Sequence, residues 1–377
     1  RVGLPSPERQ IGASAHDFVS SALTAGEVVF SNAARREGAP GVPARWMVRL
    51  AAFLEGREQH LPVHPALEWQ KRLDQPLGGA SPVPPPEPRP PLALRPRRLS
   101  ITEIDKWKQD PYEIYARHIL RLKVLPPLEE GAEHADFGMV VHDALDEMFK
   151  RFPESWPENA PVILRHSFAD ALAKAKMRPA LVAWWSPRLM RIADWVVSME
   201  GERRERGTAR YCHTEVTASF ELNVPAGPFR IRGRADRIDI DDDGKATIFD
   251  YKTGQPPTGA DVERGWSAQL IIEAALLAVG AFEDMPVAET RAMLYWHLTG
   301  GRDPGKEQEV TSSRSKTDAA TLIGEALERL RQLVEDYDDP ERPYRSQPWA
   351  GRVPRFADYA QLARVEEWRA AYSEDGE

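Results

Sequence analysis

The chain has 377 residues, 42% of them hydrophobic and 29% charged, with a formal net charge of -8. That is enough chain for a large core, and the acidic balance excludes a global basic field for coating nucleic acid, although a local patch can still bind it. The single cysteine, Cys212, excludes disulfides within the chain and any cluster or zinc site built from several cysteines. A reducing cytoplasm fits, and no apolar run has the length of a membrane span or the form of a signal peptide. The start at Arg1 rather than Met leads us to expect a fragment of a longer protein.

Three blocks follow in chain order. Residues 1–75 mix short apolar runs with arginine-rich loops: "EVVF" predicts a short strand, and "ARWMVRLAAFL" a helix with Trp46, Leu50 and Phe53 on one side. This is too little to close a core alone. Residues 76–98, "PLGGASPVPPPEPRPPLALRPRR", carry proline at a density that predicts a stiff, extended linker. Its arginines Arg89, Arg95, Arg97 and Arg98 read either as a solvated basic linker or as a strip touching DNA phosphate.

The third block, 99–377, is patterned throughout. Ser100 and Glu103 form a capping box that starts a helix, Pro111 breaks it, and a second helix follows. "ADFGMVVHDALDEMFKRF" predicts an amphipathic helix with Val141, Leu145, Met148 and Phe149 inward. Residues 160–205 predict further helices rich in tryptophan. Strands are expected in "RYCHTEVTASFELNV", "FRIRGRADRIDI" and "ATIFDYKTG", then a helix in "SAQLIIEAALLAVGAF", a strand in "TRAMLYWHL" and a long helix in "TDAATLIGEALERLRQLVEDY". This order implies an α+β or mixed α/β fold with one central sheet.

The chemistry concentrates in "GRADRIDIDDDGKATIFDYKTG". "DDDG" signals a turn between two strands. With a three-residue loop, Asp242–Gly244, Gly244 takes the left-handed position, Asp241 pairs with Lys245, and Asp236 stands opposite Asp250. Lys252 then shares that face. A loop of two or four residues would send the aspartates to opposite faces. Two carboxylates and an ammonium on one face suggest a hard-cation site for Mg²⁺ or Mn²⁺. The plainer alternative is a salt-bridged hairpin, Asp250 with Lys252 and Asp236 with Arg234.

The constellation "GRADRIDI", turn, "IFDYKTG", then a helix beginning near Gln269, with His142 earlier in "FGMVVH", resembles the RecB-like branch of the PD-(D/E)XK nuclease superfamily. The resemblance implies a restriction-endonuclease-like core, a mixed sheet flanked by helices. It also implies that His142, Asp236, Asp250 and the backbone carbonyl of Tyr251 hold Mg²⁺, with the Tyr251 ring turned to the other face. Lys252 would position a water for hydrolysis of a DNA phosphodiester. Gln269 would face the site, in contact with Lys252 or DNA; it reads equally as a partner at the helix N-terminus. His142 could alternatively be a core histidine, and Glu215 either a support for the metal or an exposed strand carboxylate.

"VGLPSPERQIGASAHDF", "EVVFSNAARREGAPGVPARWMVRL" and "DYAQLARVEEW" further resemble AddB-type subunits of bacterial helicase–nucleases, which process broken DNA ends beside an AddA-type partner. On that resemblance residues 1–75 are the end of a helicase-like region, without a phosphate-binding loop. Many such relatives hold an iron–sulfur cluster on four cysteines. Here Asp110 stands at the first of those positions, and no cluster is expected. Trp349, Phe356, Tyr359, Leu362 and Trp368 are the candidates to join the two ends of the domain by packing instead. Glu273 replaces the Tyr that often follows the Gln by four residues. The competing readings are a stand-alone phage-type exonuclease, a catalytically inactive scaffold for DNA or a partner subunit, and a cytosolic protein with a salt-bridged hairpin.

Overall fold

The computed structural model describes residues 6–36, 38–75, 78, 83–125, 134–175, 177–311, 317–349, 354 and 357–373. The chain divides into two compact units, 1–81 and 82–377.

The first unit contains α1 (Pro7–Leu23), a two-residue ladder of β1 (Arg35–Arg36) with β2 (Ala39–Pro40), α2 (Arg45–Glu55) and α3 (Ala66–Asp74). Ser6 caps α1, with Pro7 at its first position. The strand expected at "EVVF" does not form. A strand needs a paired edge, and Phe30 instead stacks on Phe18 at 5.1 Å between ring centroids. The helix over "RWMVRLAAFLE" does form, but Phe53 on its apolar stripe is exposed. No described residue of this unit is buried, since a helical stripe is covered only by a second layer.

The second unit runs β3 (Arg98–Ser100), α4 (Ile101–Gln109), α5 (Pro111–Ile114), α6 (His134–Arg151), α7 (Ala160–Lys174), α8 (Pro179–Glu205), β4 (Tyr211–Leu222), β5 (Phe229–Ile240), β6 (Ala246–Lys252), α9 (Gly259–Glu263), α10 (Gln269–Ala278), β7 (Thr290–Leu298), β8 (Gly305–Glu309), α11 (Ala319–Asp338) and α12 (Val365–Ser373). It is a mixed α/β fold: a central mixed sheet with helices on both faces. The short strands β3 and β8 carry too few apolar residues to be visible in the sequence.

The described part of the proline-rich segment is not a solvated linker. Arg95 is buried, and its guanidinium donates to the carbonyls of Pro90, Tyr337, Asp339 and Pro340. Arg97 pairs with Asp338 at 2.5 Å. The last carbonyls of α11 have no partner within the helix, so Tyr337 and the residues that follow offer theirs to this donor, and the proline-rich chain adds that of Pro90.

β5 organises the sheet. β4 pairs with it antiparallel along one edge. On its other edge β3 pairs parallel with Arg230–Arg232 and β6 pairs antiparallel with Arg237–Ile240. Between those two partners β5 is open. β6 then pairs parallel with β7 through the α9–α10 crossover, and β7 pairs antiparallel with β8.

One face of the sheet is covered by α4, α10 and α11, through Ile101, Ile104, Ile231, Ile248, Leu276 and Leu330. The other is covered by α6, α7 and α8, through Val141, Leu145, Phe168, Leu189, Phe249 and Trp296. Val141, Leu145, Met148 and Phe149 all point inward as expected. The tail forms a third cluster, where Tyr359, Ala363 and Val365 meet Tyr112 and Ala116, with Trp368 against them. Leu362 is exposed instead; Trp349 is equally exposed yet joins the two ends, its indole N–H donating to the Lys108 carbonyl; Phe356 lies outside the described residues.

Candidate active site

The hairpin register depends on the turn. Gly244 has φ +77°, its amide donates to the Asp241 carbonyl, and the Asp241 amide donates to the Lys245 carbonyl at 2.9 Å. The loop is therefore the three-residue form. Pairing runs from Ile240 with Ala246 to Arg237 with Phe249, so Asp236 and Asp250 occupy the next facing positions. Asp236 also lies at the opening of β5, one residue beyond the end of its ladder with β6.

Two glycines let helices reach that opening. A Cβ on Gly233 would overlap the Ile101 side chain at the start of α4. A Cβ on Gly138 would lie 3.3 Å from the Thr253 hydroxyl just past β6, so α6 passes close to the strand end and delivers His142 one turn later.

His142 Nδ1 lies 3.4 Å from Asp236 Oδ1, and His142 Nε2 lies 3.0 Å from the Tyr251 carbonyl. The other Asp236 oxygen accepts the Tyr251 amide at 2.8 Å. The Tyr251 ring packs on the opposite face, against Trp296. Lys252 Nζ reaches Asp250 at 2.8 and 2.6 Å, and Gln269, the first residue of α10, donates to Asp250 at 2.9 Å and to Glu273 at 3.2 Å. Gln269 thus contacts the acceptor that Lys252 uses rather than Lys252 itself.

Of the salt-bridged alternative, Asp250 with Lys252 is present. Arg234 pairs not with Asp236 but with Glu215, at 2.6 Å. Glu215 stands across β4–β5 from Asp236, between the pairs Thr214 with Arg237 and Val216 with Ala235. One ligand atom each from His142, Glu215 and Asp236 lies within 4.8 Å of the others, close enough to hold a metal ion.

The electrostatics follow from burial and crowding. Burial alone would push the His142 imidazole down, but its hydrogen bond to Asp236 and that residue's charge hold it above the usual value. Burial raises Asp250, with Asp236 adding to the shift and Lys252 opposing it. Lys252 is held up by Asp250 against the effect of its burial. Burial and the neighbouring Asp250 put Glu273 well above the carboxylate range.

Other supporting groups were not apparent in the sequence. Asp105 in α4 accepts the Ala268 amide at 2.8 Å at the start of α10, and burial pushes its carboxyl up to about 6. On the opposite face of β5, the fully buried Arg237 is held by Asp239 at 2.5 and 2.6 Å and by Glu200 of α8 at 2.7 Å. Its guanidinium lies 4.0 Å from the Phe149 ring centroid. The only local sign of this network is the period-two spacing of Arg237 and Asp239; Glu200 is distant in sequence and gives none.

A family model described as the PD-(D/E)XK nuclease superfamily matches residues 98–352. An uncharacterized protein of Rickettsia bellii is 29% identical over 50% of this chain and 22% of its own length. A protein of Clostridium perfringens, named as a subunit of an ATP-dependent helicase/deoxyribonuclease, is 27% identical over 41% of this chain and 15% of its own. The chain thus spans about a fifth of the length of these relatives. A solved structure titled "Crystal structure of SSO0001" aligns over 63% of this chain and 84% of its own at 20% identity, with a TM-score of 0.22.

Proposed function

Because the chain belongs to the PD-(D/E)XK nuclease superfamily, we propose that it is a divalent-metal-dependent DNA exonuclease that hydrolyses phosphodiester bonds at broken ends. On this reading it is the nuclease part of an AddB-type subunit, working with an AddA-type partner in recombinational repair. The partial likeness to the clostridial helicase/deoxyribonuclease supports the second statement.

The observation that carries the reading is the meeting of His142 from α6 with Asp236 from β5, at 3.4 Å beside the Tyr251 carbonyl, next to the Asp250–Lys252 pair. Carboxylate and carbonyl oxygens suit Mg²⁺ or Mn²⁺, and of the two the softer Mn²⁺ accepts an imidazole nitrogen beside them more readily. His142, Asp236, Asp250 and the Tyr251 carbonyl would hold the ion; Glu215 clusters with His142 and Asp236, while Asp250 is engaged by Lys252 and Gln269. When bound, it supplies charge stabilisation for the scissile phosphate and its leaving oxygen.

The chain's own groups do the rest. Lys252, kept cationic by Asp250, offers N–H donors to orient a water and to offset phosphate charge. Gln269 holds the Asp250 carboxylate from the α10 side.

Cleavage of single-stranded DNA with Mg²⁺, measured beside Asp250→Ala, tests the reading. Metal-dependent cleavage lost by at least about a hundredfold in the variant is expected. A folded wild-type chain that cuts nothing, even with its partner subunit, would instead make the domain a scaffold.

A further inference from the structure

A second cleft, of about 700 Å³, lies against α4, the Gly265–Trp266 turn, α11 and the segment 342–349. Five arginines and Lys108 line it against one carboxylate, Asp336. Some of this charge is already matched: Arg329 pairs with Glu325 at 2.5 Å, and Arg89 pairs with Glu87 at 2.7 Å. Among the described residues, Lys108 and Arg264 have no carboxylate within ion-pair distance. Burial pushes the Lys108 ammonium down; Asp105 pulls it back up, and the nearby Arg329 pushes it down further. Cations gathered in a partly buried cleft repel one another until an anion enters.

The same cleft carries an aromatic pair. Trp349 is 46% exposed and meets Trp266 edge to face, with centroids 5.0 Å apart and planes at 73°. Its indole N–H donates to the Lys108 carbonyl at 2.8 Å, which holds the ring in place beside the cations. Trp266 also lines the adjoining cleft of about 420 Å³ that contains Lys252 and Gln269. The basic groove and the catalytic ammonium are therefore neighbours across one tryptophan.

Resting on the nuclease reading above, we propose that this groove binds the single-stranded part of the substrate. Phosphates lie on Lys108 and Arg264, and on Arg329 in exchange for its half-exposed and therefore weak pair with Glu325, and an unpaired base stacks on Trp349. Cations flanking an exposed ring suit a single strand, because every base has a face to stack and a duplex hides it. An acidic peptide would engage the cations by charge alone, so dependence of binding on the indole is what favours a base.

The test is fluorescence anisotropy with a fluorescein-labelled oligothymidylate of about 20 nucleotides. It uses the whole 377-residue chain in Ca²⁺ and compares wild type with Arg264→Glu/Arg329→Glu, Trp349→Ala and Trp349→Phe. Charge reversal is expected to weaken binding by at least about thirtyfold near 0.1 M salt and to reduce the slope of log affinity against log salt by about 1.4. Trp349→Ala should weaken binding about tenfold, and Trp349→Phe should restore most of it. Melting temperatures of all variants establish that they fold.

Wild-type affinity in the folded charge-reversed chain, or no wild-type binding at all, overturns the proposal. So does sensitivity to charge reversal without sensitivity to Trp349→Ala, which would mark a surface that attracts anions of any kind. The Mg²⁺ cleavage assay with Asp250→Ala, run separately, tests the nuclease reading by itself. Cleavage by wild type together with unaltered binding by the groove variants would remove the groove and leave the nuclease.

Discussion

Glu215 shows what a single residue contributes to the site. Its φ of 53° is left-handed, a conformation that costs a non-glycine residue about 1 kcal/mol or more. It also faces Asp236 across the ladder, a like-charge arrangement that neighbouring strands avoid. Burial raises its carboxyl, Arg234 opposes the shift, and Asp236 and Asp146 add to it. Strain and repulsion at one position are consistent with a carboxylate held for a cation. Glu215→Asn keeps a residue that tolerates the left-handed backbone and removes the charge. We expect it to weaken Mn²⁺ binding about 10- to 100-fold, measured by isothermal titration calorimetry, with the melting temperature little changed.

At the scale of elements, the site depends on how closely α4 approaches β5. Ile101 occupies the space that a side chain at position 233 would fill, so Gly233 is required by contact rather than by dihedral angle. On the opposite face, Arg237, Asp239 and Glu200 join β5 to α8 through buried ion pairs, so the strand is held from behind while Asp236 faces the opening. Gly233→Ala should destabilise the chain by about 1–3 kcal/mol through overpacking. Combined with Ile101→Ala, which alone costs about 2–5 kcal/mol, the total loss should be smaller than the sum of the two single losses, because the new methyl fills space that the isoleucine vacates. Urea denaturation of the two single variants and the double variant measures the coupling, and additive losses would show that the two positions do not compete for space.

Across the second unit, the C-terminal segment is fastened to the helices that follow the proline-rich stretch. The Ser346 hydroxyl donates to Asp110 at 3.1 Å, the Tyr112 amide to the Arg345 carbonyl, and the Tyr359 hydroxyl to the Leu122 carbonyl. Burial pushes Asp110 up to about 6, with Ser346 opposing the shift. The folded state therefore holds this proton more tightly than the unfolded chain, whose carboxyl titrates near 3.8. The unfolded state ionises first as pH rises, so Asp110 favours folding below about 4, and that advantage is lost progressively up to about 6. The loss amounts to about 1–3 kcal/mol. Asp110→Asn keeps an acceptor for Ser346 and should flatten the stability profile between those pH values, as followed by denaturant midpoints.

Much of this protein was legible before its structure. The amphipathic helix of His142, the capping box at Ser100 and the three-residue hairpin loop are written in neighbouring residues, because periodicity, capping and turn geometry act over a few positions. The loop length alone set Asp236 and Asp250 facing one another. Other features depended on tertiary contact. The segment "EVVF" pairs with no strand among the described residues, and the proline-rich segment became part of the core surface once Arg95 found its acceptors at the end of α11. Glu215 beside His142, Glu200 beneath Arg237, and Trp266 between two clefts join residues far apart in sequence. Such encounters leave no local pattern, because packing chooses them after the elements have formed.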